Sequence, residues 1–267
     1  MLNALFIITL FIIGAAVGSF TSVFIYRLHA KKKGIFRGRS HCTQCEQQLK
    51  PLDLIPILSY LTLRGQCRYC SKAISYMYPI LELVTGGLFA LLFLKFPFMD
   101  SALNVSGTFL GLYFLYAFYT FVLVFTFFFD LHYLKVSDEI LLPAILIGLI
   151  ATIATPLTPH LFDAFLGAGI AVVFFGLQVL VSRGTWIGLG DLRVGAFMGV
   201  VLGWKMIIVA LFVSYLIGSL VSLIIIVRTG KFRGIKIPFA PLLVTGTFVT
   251  VFFGDALLEW YLGGMGF

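Results

Sequence analysis

Four cysteines and three aspartates are the residues whose types and spacing could do chemistry in this chain. The cysteines form two C-x-x-C pairs, Cys42-Thr43-Gln44-Cys45 and Cys67-Arg68-Tyr69-Cys70, separated by 21 residues. Two residues between cysteines let one tight turn present both sulfurs to a single ion, and two such turns complete a tetrahedral four-thiolate zinc shell. A closed shell of four protein ligands leaves no open position for catalysis, so the role expected of Cys42, Cys45, Cys67 and Cys70 is structural. The competing reading is a pair of disulfides, which requires an oxidising compartment. His41, beside Cys42, reads as a bystander.

Asp130 ends the apolar run 121–129, Asp138 precedes the next apolar run, and Asp191 closes Gly188-Leu189-Gly190-Asp191 at the start of another. Carboxylates at membrane depth are functional candidates by default, although an aspartate at a helix end also serves as a cap or an interfacial charge. Two that converge could share one proton, one member activating water while the other polarises a carbonyl, as aspartyl proteolysis needs. The glycines before Asp191 permit close backbone approach and a bend.

The elements that must position these groups are membrane helices. Of the residues, 60% are hydrophobic and 11% charged, and the mean hydropathy is +1.06, which excludes an ordinary soluble domain. The apolar segments are continuous rather than alternating, so helices and not a β-barrel follow. Spans are expected near 4–26, 79–97, 106–129, 140–157, 161–182, 192–204, 206–227 and 238–258, with the sixth short and merging into the seventh around Trp204-Lys205. The fold class expected is all-α: a polytopic transmembrane bundle of about eight spans with a small cysteine-paired loop domain. Its parts are a first span over 1–27, the loop over 28–78 and a membrane core over 79–267. The run from Ala4 to Tyr26 is too long for a cleaved signal and reads as a retained span.

Ten of the nineteen Lys and Arg residues lie between Arg27 and Lys72, and four more between Arg228 and Lys236. Both segments are therefore expected on the cytoplasmic side, facing anionic lipid headgroups, rather than on nucleic acid. Eight alternating crossings put the 130–138 turn and the 183–193 connection on that same side, so Asp130 and Asp191 share a face. Trp186, Trp204 and Trp260 fall at span ends, as interfacial anchors do. Glu82, near the cytoplasmic end of the second span, is read either as a polar contact within the bundle or as a group that helps bind an amine.

The chain resembles the prepilin peptidases, the type 4 prepilin-like leader peptidases. The resemblance runs through Gly14-Ala15-Ala16-Val17-Gly18-Ser19-Phe20, the paired-cysteine loop with Asp53-Leu54-Ile55-Pro56 between the pairs, and Tyr78-Pro79-Ile80-Leu81-Glu82-Leu83. It continues through the Asp130 to Asp138 region, Gly188 to Asp191 as a G-x-G-D, and Ile237-Pro238-Phe239-Ala240-Pro241. It implies a membrane aspartyl endopeptidase of the bacterial plasma (inner) membrane that uses Asp130 and Asp191, with Asp138 the rival for the first position. The implied substrates are type IV prepilin or pseudopilin precursors, cut after a glycine that ends a short basic leader. In many members the new terminus is also N-methylated from S-adenosylmethionine, for which the sequence reveals no binding residues. Two other readings use the same residues: a transporter with intramembrane carboxylates, and a scaffold that recruits partners through its zinc loop.

Overall fold

The computed structural model describes residues 2–30, 39–99, 104–154, 158–230 and 237–264; the basic stretches 31–38 and 231–236 lie outside the described residues. Among the described residues there is no strand, only three isolated antiparallel bridges. Among the described residues six helices are long and apolar enough to cross a membrane. Many large apolar side chains on these helices, Ile8, Phe162 and Leu180 among them, face outward, which suits a lipid solvent rather than water.

The chain divides into two compact units, residues 1–125 and 126–267. In the first, α1 (Leu2–His29) packs on α3 (Met77–Lys95). Contact is close because small residues face each other. A Cβ on Gly14 would come within 2.7 Å of Phe89, and one on Gly86 within 2.8 Å of the Phe11 carbonyl oxygen, an approach typical of membrane helix pairs. Between these helices the chain leaves the apolar pattern and forms a small module with a 3-10 turn (Pro51–Leu54) and the short helix α2 (Leu58–Thr62). The first part of α4 (Gly107–Tyr133) completes the unit, setting Phe121 and Phe125 against Phe24 of α1 at 6.1 and 5.3 Å between ring centroids.

The second unit holds the end of α4, then α5 (Asp138–Ala154), α6 (Leu161–Ser182), α7 (Leu189–Thr229) and α8 (Ala240–Gly264). α7 merges the expected sixth and seventh spans into 41 residues, about 60 Å of helix against a hydrocarbon core of about 30 Å. It is not continuous: Gly203 takes φ 74, ψ 176, a conformation that only glycine occupies readily. The two segments meet at this break, and α7 presents one length to α6 and another to α8. Gly167 of α6 sits on Gly199 and Gly203, so that a Cβ on Gly167 would lie 2.6 Å from the Gly199 carbonyl oxygen. Gly246 of α8 faces Ala210 and Ser214. The expected fourth span, α5, has 17 residues with Pro143 inside it and falls outside the six long apolar helices, so the count of eight is approximate.

These contacts fix a stability prediction. Any Cβ on Gly199 would run into the Gly167 and Ala168 backbone, which has no side chain to rotate away, so Gly199→Ala is expected to destabilise by more than about 3 kcal/mol. Gly111→Ala, with nothing within 4 Å, is expected to be neutral or slightly stabilising. Thermal unfolding of the two variants in detergent checks the contrast, and equal melting temperatures would refute it.

Candidate active site and cysteine module

In the second unit the sequence-predicted aspartates come from three helix ends. Asp130 lies within the last turn of α4, which runs one turn past its expected limit and so carries this residue inside a helix. It is 6% exposed. Its Oδ2 accepts a hydrogen bond from the Ala240 backbone N–H at 3.1 Å. Ala240 is the first residue of α8, and the N–H groups of a helix's first turn have no partner within the helix. The segment Ile237-Pro238-Phe239-Ala240-Pro241 thus starts a helix whose first free N–H meets a buried carboxylate.

Asp191 is the third residue of α7. The Gly188 N–H donates to its Oδ2 at 3.1 Å, an arrangement in which the carboxylate caps the N-terminus of α7. Capping alone would not require a second acid nearby, yet Asp191 lies within electrostatic reach of Asp130. Tyr215, from the second segment of α7, is within reach of Asp191 as well. Its hydroxyl donates to Gln178 Oε1 at 2.8 Å, and its ring packs on Phe239 at 5.5 Å between centroids. Among the described residues neither aspartate has a hydrogen-bond donor on Oδ1.

Asp138 is placed differently. It opens α5, is half-exposed and forms an ion pair with Arg193. Val136 packs so near Gly190 that a Cβ there would approach within 2.9 Å, which brings the start of α7 against the turn before α5. Arg193, Tyr215 and Gln178 escaped the sequence reading. Only a match of spacing to structure could have found them, since no motif marks them.

In the first unit the four cysteines gather with their sulfurs within 4.8 Å of one another. All four are free thiols. Each pair sits in the same knuckle: Cys42 N–H donates to the Gln47 carbonyl at 2.9 Å and Cys67 N–H to that of Lys72 at 2.8 Å, and the bridges His41 to Gln48 and Gln66 to Ala73 close the two turns. Glu46 and Ser71, one residue past each pair, share φ 56. The knuckles are a local structural repeat that residue identities hide, because outside the cysteines the two turns have little in common.

The donor set fits a tetrahedral ion. A Zn–S distance of about 2.3 Å separates sulfurs by about 3.8 Å, within the observed cluster. The backbone N–H of Gln44, followed by that of Cys45, holds the Cys42 thiol down at about 7. For Cys45 the Gln47 N–H acts in the same direction, but desolvation and the neighbouring sulfurs of Cys42 and Cys70 push it up to about 11. Several thiolates so close repel each other, and a bound dication removes that repulsion.

Asp53 braces the module. Its side chain is 3% exposed and accepts from Arg68 Nε at 2.7 Å, the Lys50 N–H at 3.1 Å and the Tyr69 hydroxyl at 3.3 Å. Desolvation works to raise this carboxyl, but the Lys50 N–H and the Arg68 guanidinium outweigh it and hold the group below the usual carboxylate range. A carboxyl lowered on folding contributes stability above its unfolded value of about 3.9 that is lost as the pH falls through the folded value. Asp53→Asn is therefore expected to loosen the module by about 1–3 kcal/mol at neutral pH and by progressively less below about pH 4. Hydrogen exchange over residues 39–76 reads both effects; a penalty that does not change with pH would rule out the charged network as its source.

Two family models match the chain: the bacterial peptidase A24 N-terminal domain over residues 12–96, and the type IV leader peptidase family over residues 117–223. Among curated proteins, a prepilin leader peptidase/N-methyltransferase from Bacillus subtilis is 32% identical over 255 residues, covering 95% of this chain and 96% of the relative. The chain belongs to the type IV leader peptidase family. A relative of the same description from Legionella pneumophila is 30% identical, covering 93% of this chain and 91% of its own. One from Pseudomonas aeruginosa is 27% identical over 98% and 95%. No solved structure matches. Within the family frame the A24 N-terminal match takes in α1 from residue 12 onward, the cysteine module and α3, whereas the leader peptidase match takes in both Asp130 and Asp191.

Proposed function

We infer that the chain is an integral membrane aspartyl endopeptidase that removes the short basic leader of type IV prepilin or pseudopilin precursors at the cytoplasmic face of a bacterial plasma membrane, and that it N-methylates the new terminus. The observation that carries the peptidase reading is that Asp130 and Asp191 lie within electrostatic reach of each other, each held by one backbone N–H. Membership of the family supports the substrate class. The ion pair between Asp138 and Arg193 favours Asp130 over Asp138 as first aspartate.

In this mechanism the two carboxylates share one proton, because like charges that converge on one water do not both ionise readily. The ionised member takes a proton from water as the oxygen attacks the scissile carbonyl carbon, and the protonated member gives its proton to the carbonyl oxygen. Collapse of the tetrahedral species returns a proton to the leaving amine nitrogen. The Ala240 and Gly188 N–H groups fix the orientation of both acids, since a carboxylate free to rotate would spend little time in the productive geometry.

Cys42, Cys45, Cys67 and Cys70 hold a structural zinc ion in this reading, and S-adenosylmethionine supplies an electrophilic methyl group when bound. The basic residues from Arg27 to Lys72, in and around the cysteine module, keep it on the cytoplasmic side, where the leader's own positive charges also stay. The test is incubation of the purified chain with a pilin-like precursor and mass analysis of the product. A new N-terminus immediately after the leader's final glycine is expected; absence of cleavage by folded protein across several such precursors would overturn the reading.

A further inference from the structure

Glu82 of α3 lines a cavity of about 360 Å³ between the cysteine module and the adjoining ends of α1 and α3. The Ile57 N–H donates to Glu82 Oε2 at 2.7 Å, which pins one turn of the module to a point five residues past the start of α3. That point lies within the apolar layer. The 19 residues of α3 make about 28 Å of helix, only just enough for a hydrocarbon core of about 30 Å, so Glu82 stands about 7 Å inside its edge. α1 gives a matching depth. A Cβ on Gly18 would lie 2.9 Å from the Glu82 Cα, and the first charge beyond Gly18 is Arg27, about 13 Å further along the helix. Ile80, Leu83 and Val84, on either side of Glu82, face outward. At Ile57 the module therefore reaches a level at which the helix beside it faces lipid.

The segment around this anchor is inside out for a part that faces water. Ser59, Tyr60 and Leu63 turn to the cavity, whereas Leu58 and Leu61, neighbours on one face of α2, are 60% and 64% exposed. Leu52 and Ile55, which continue the same spacing of three, are exposed as well. Between Lys50 and Arg64 the chain has a single charge, Asp53, and that carboxylate is taken up by Arg68, Tyr69 and the Lys50 N–H. The outward face of 51–63 is thus uncharged and is bounded by two exposed cations, Lys50 and Arg64. One exposed leucine needs no explanation, but four large apolar side chains within ten residues do. Irregular backbone at membrane depth must also satisfy its own donors. Here the Leu58 N–H turns back to the Pro56 carbonyl at 2.6 Å, in a γ-turn with Ile57 at φ 63, ψ −51. The Ser59, Leu61 and Leu63 N–H groups meet the carbonyls of Ile55, Ile57 and Ser59, Pro51 and Pro56 have no N–H to place, and Glu82 takes up that of Ile57. We propose that residues 52–61 form a wedge in the acyl edge of the bilayer leaflet in which α1 ends and α3 begins. Leu52, Ile55, Leu58 and Leu61 lie against lipid tails, Lys50 and Arg64 stand at the level of anionic headgroups, and the Ile57 to Glu82 hydrogen bond holds the wedge at that depth. The cysteine module is then attached to the membrane by its own surface as well as by the two helices that carry it. The inference rests on the membrane spans and not on the peptidase reading.

The test is photolabelling from the lipid side. The purified full-length chain is placed in vesicles of phosphatidylcholine and phosphatidylglycerol containing a phospholipid with a diazirine in its acyl chain, irradiated and digested, and the label is mapped by mass. Residues 52–61 are expected to carry label within about threefold of residues 80–84 of α3, and at least about tenfold more than residues 40–49 of the first knuckle. Glu82→Ala removes the acceptor of the Ile57 N–H and is expected to lower the label on 52–61 at least about fivefold relative to that on 5–13 of α1. Glu82→Gln keeps an acceptor oxygen and is expected to retain the label. A label on 52–61 of the unsubstituted chain no higher than that on 40–49 would overturn the proposal, and this comparison decides it even if Glu82→Ala does not fold. A second copy of the chain seated on this face would leave 52–61 unlabelled and give dimers cross-linked through it, which also overturns the proposal. Undiminished label in folded Glu82→Ala would overturn the anchoring by Glu82.

Discussion

Asp191→Asn and Asp130→Asn are each expected to lower the rate of leader cleavage by about 10³-fold or more while leaving the protein folded, and together they should be scarcely worse than either alone. The magnitude follows from the unit behaviour of catalytic groups: once one member is gone the other has no partner with which to divide the roles of base and acid. Asparagine keeps the shape and can still accept from the Gly188 or Ala240 N–H, so loss of orientation does not explain the effect. Asp138→Asn provides the contrast. Its side chain is 45% exposed and its partner Arg193 38% exposed, so breaking that pair should cost under about 1 kcal/mol and reduce cleavage only slightly. Single-turnover cleavage of a precursor, with circular dichroism of each variant, measures the three together. Robust cleavage by Asp191→Asn would sink the dyad, and loss confined to Asp138→Asn and Asp191→Asn would move the first aspartate to the start of α5.

Much of the membrane architecture was legible because apolar run length is set directly by bilayer thickness. The span expected at 161–182 is α6 itself, and the run at 106–129 needed only one more turn. That turn matters, since it moves Asp130 from a loop edge into a helix where the Ala240 N–H can meet it. The gathering of the two cysteine pairs was also readable, because the spacing is the one a four-thiolate site would require and the four sulfurs do come together. What the sequence hid depends on contacts between distant segments. The merged sixth and seventh spans look continuous by hydropathy, and the break resides in the φ of Gly203, one of 27 glycines. Nothing in the spacing of Tyr215 or Arg193 reveals that they lie by Asp191 and Asp138. The cavity beside Glu82 needs α1, α3 and the module to be assembled before it exists, so Glu82 could only be placed between two readings.

The second large effect expected is on the cysteine module when the zinc proposed for it is stripped by a chelator. The segment from residue 39 to 76 has two short helical pieces and two knuckles, too little apolar core to hold itself together. In comparable four-ligand sites the metal contributes apparent binding free energy of about 10–16 kcal/mol, which is folding free energy when no site exists beforehand. The purified chain is therefore expected to carry one zinc ion, and strong chelation should open residues 39–76 to proteolysis while the long helices persist. Cys67 is the buried cysteine and Cys45 the exposed one, so Cys67→Ser should expose the module more than Cys45→Ser does. His41, Thr43 and Gln44 belong to the first knuckle and line the same cavity as Glu82, so opening the module should open that cavity as well. Metal content by elemental analysis and limited proteolysis with and without chelator measure the two halves of this expectation. A metal-free chain whose module resists proteolysis, or one whose intact mass reveals two disulfides, would replace the ion by a covalent staple.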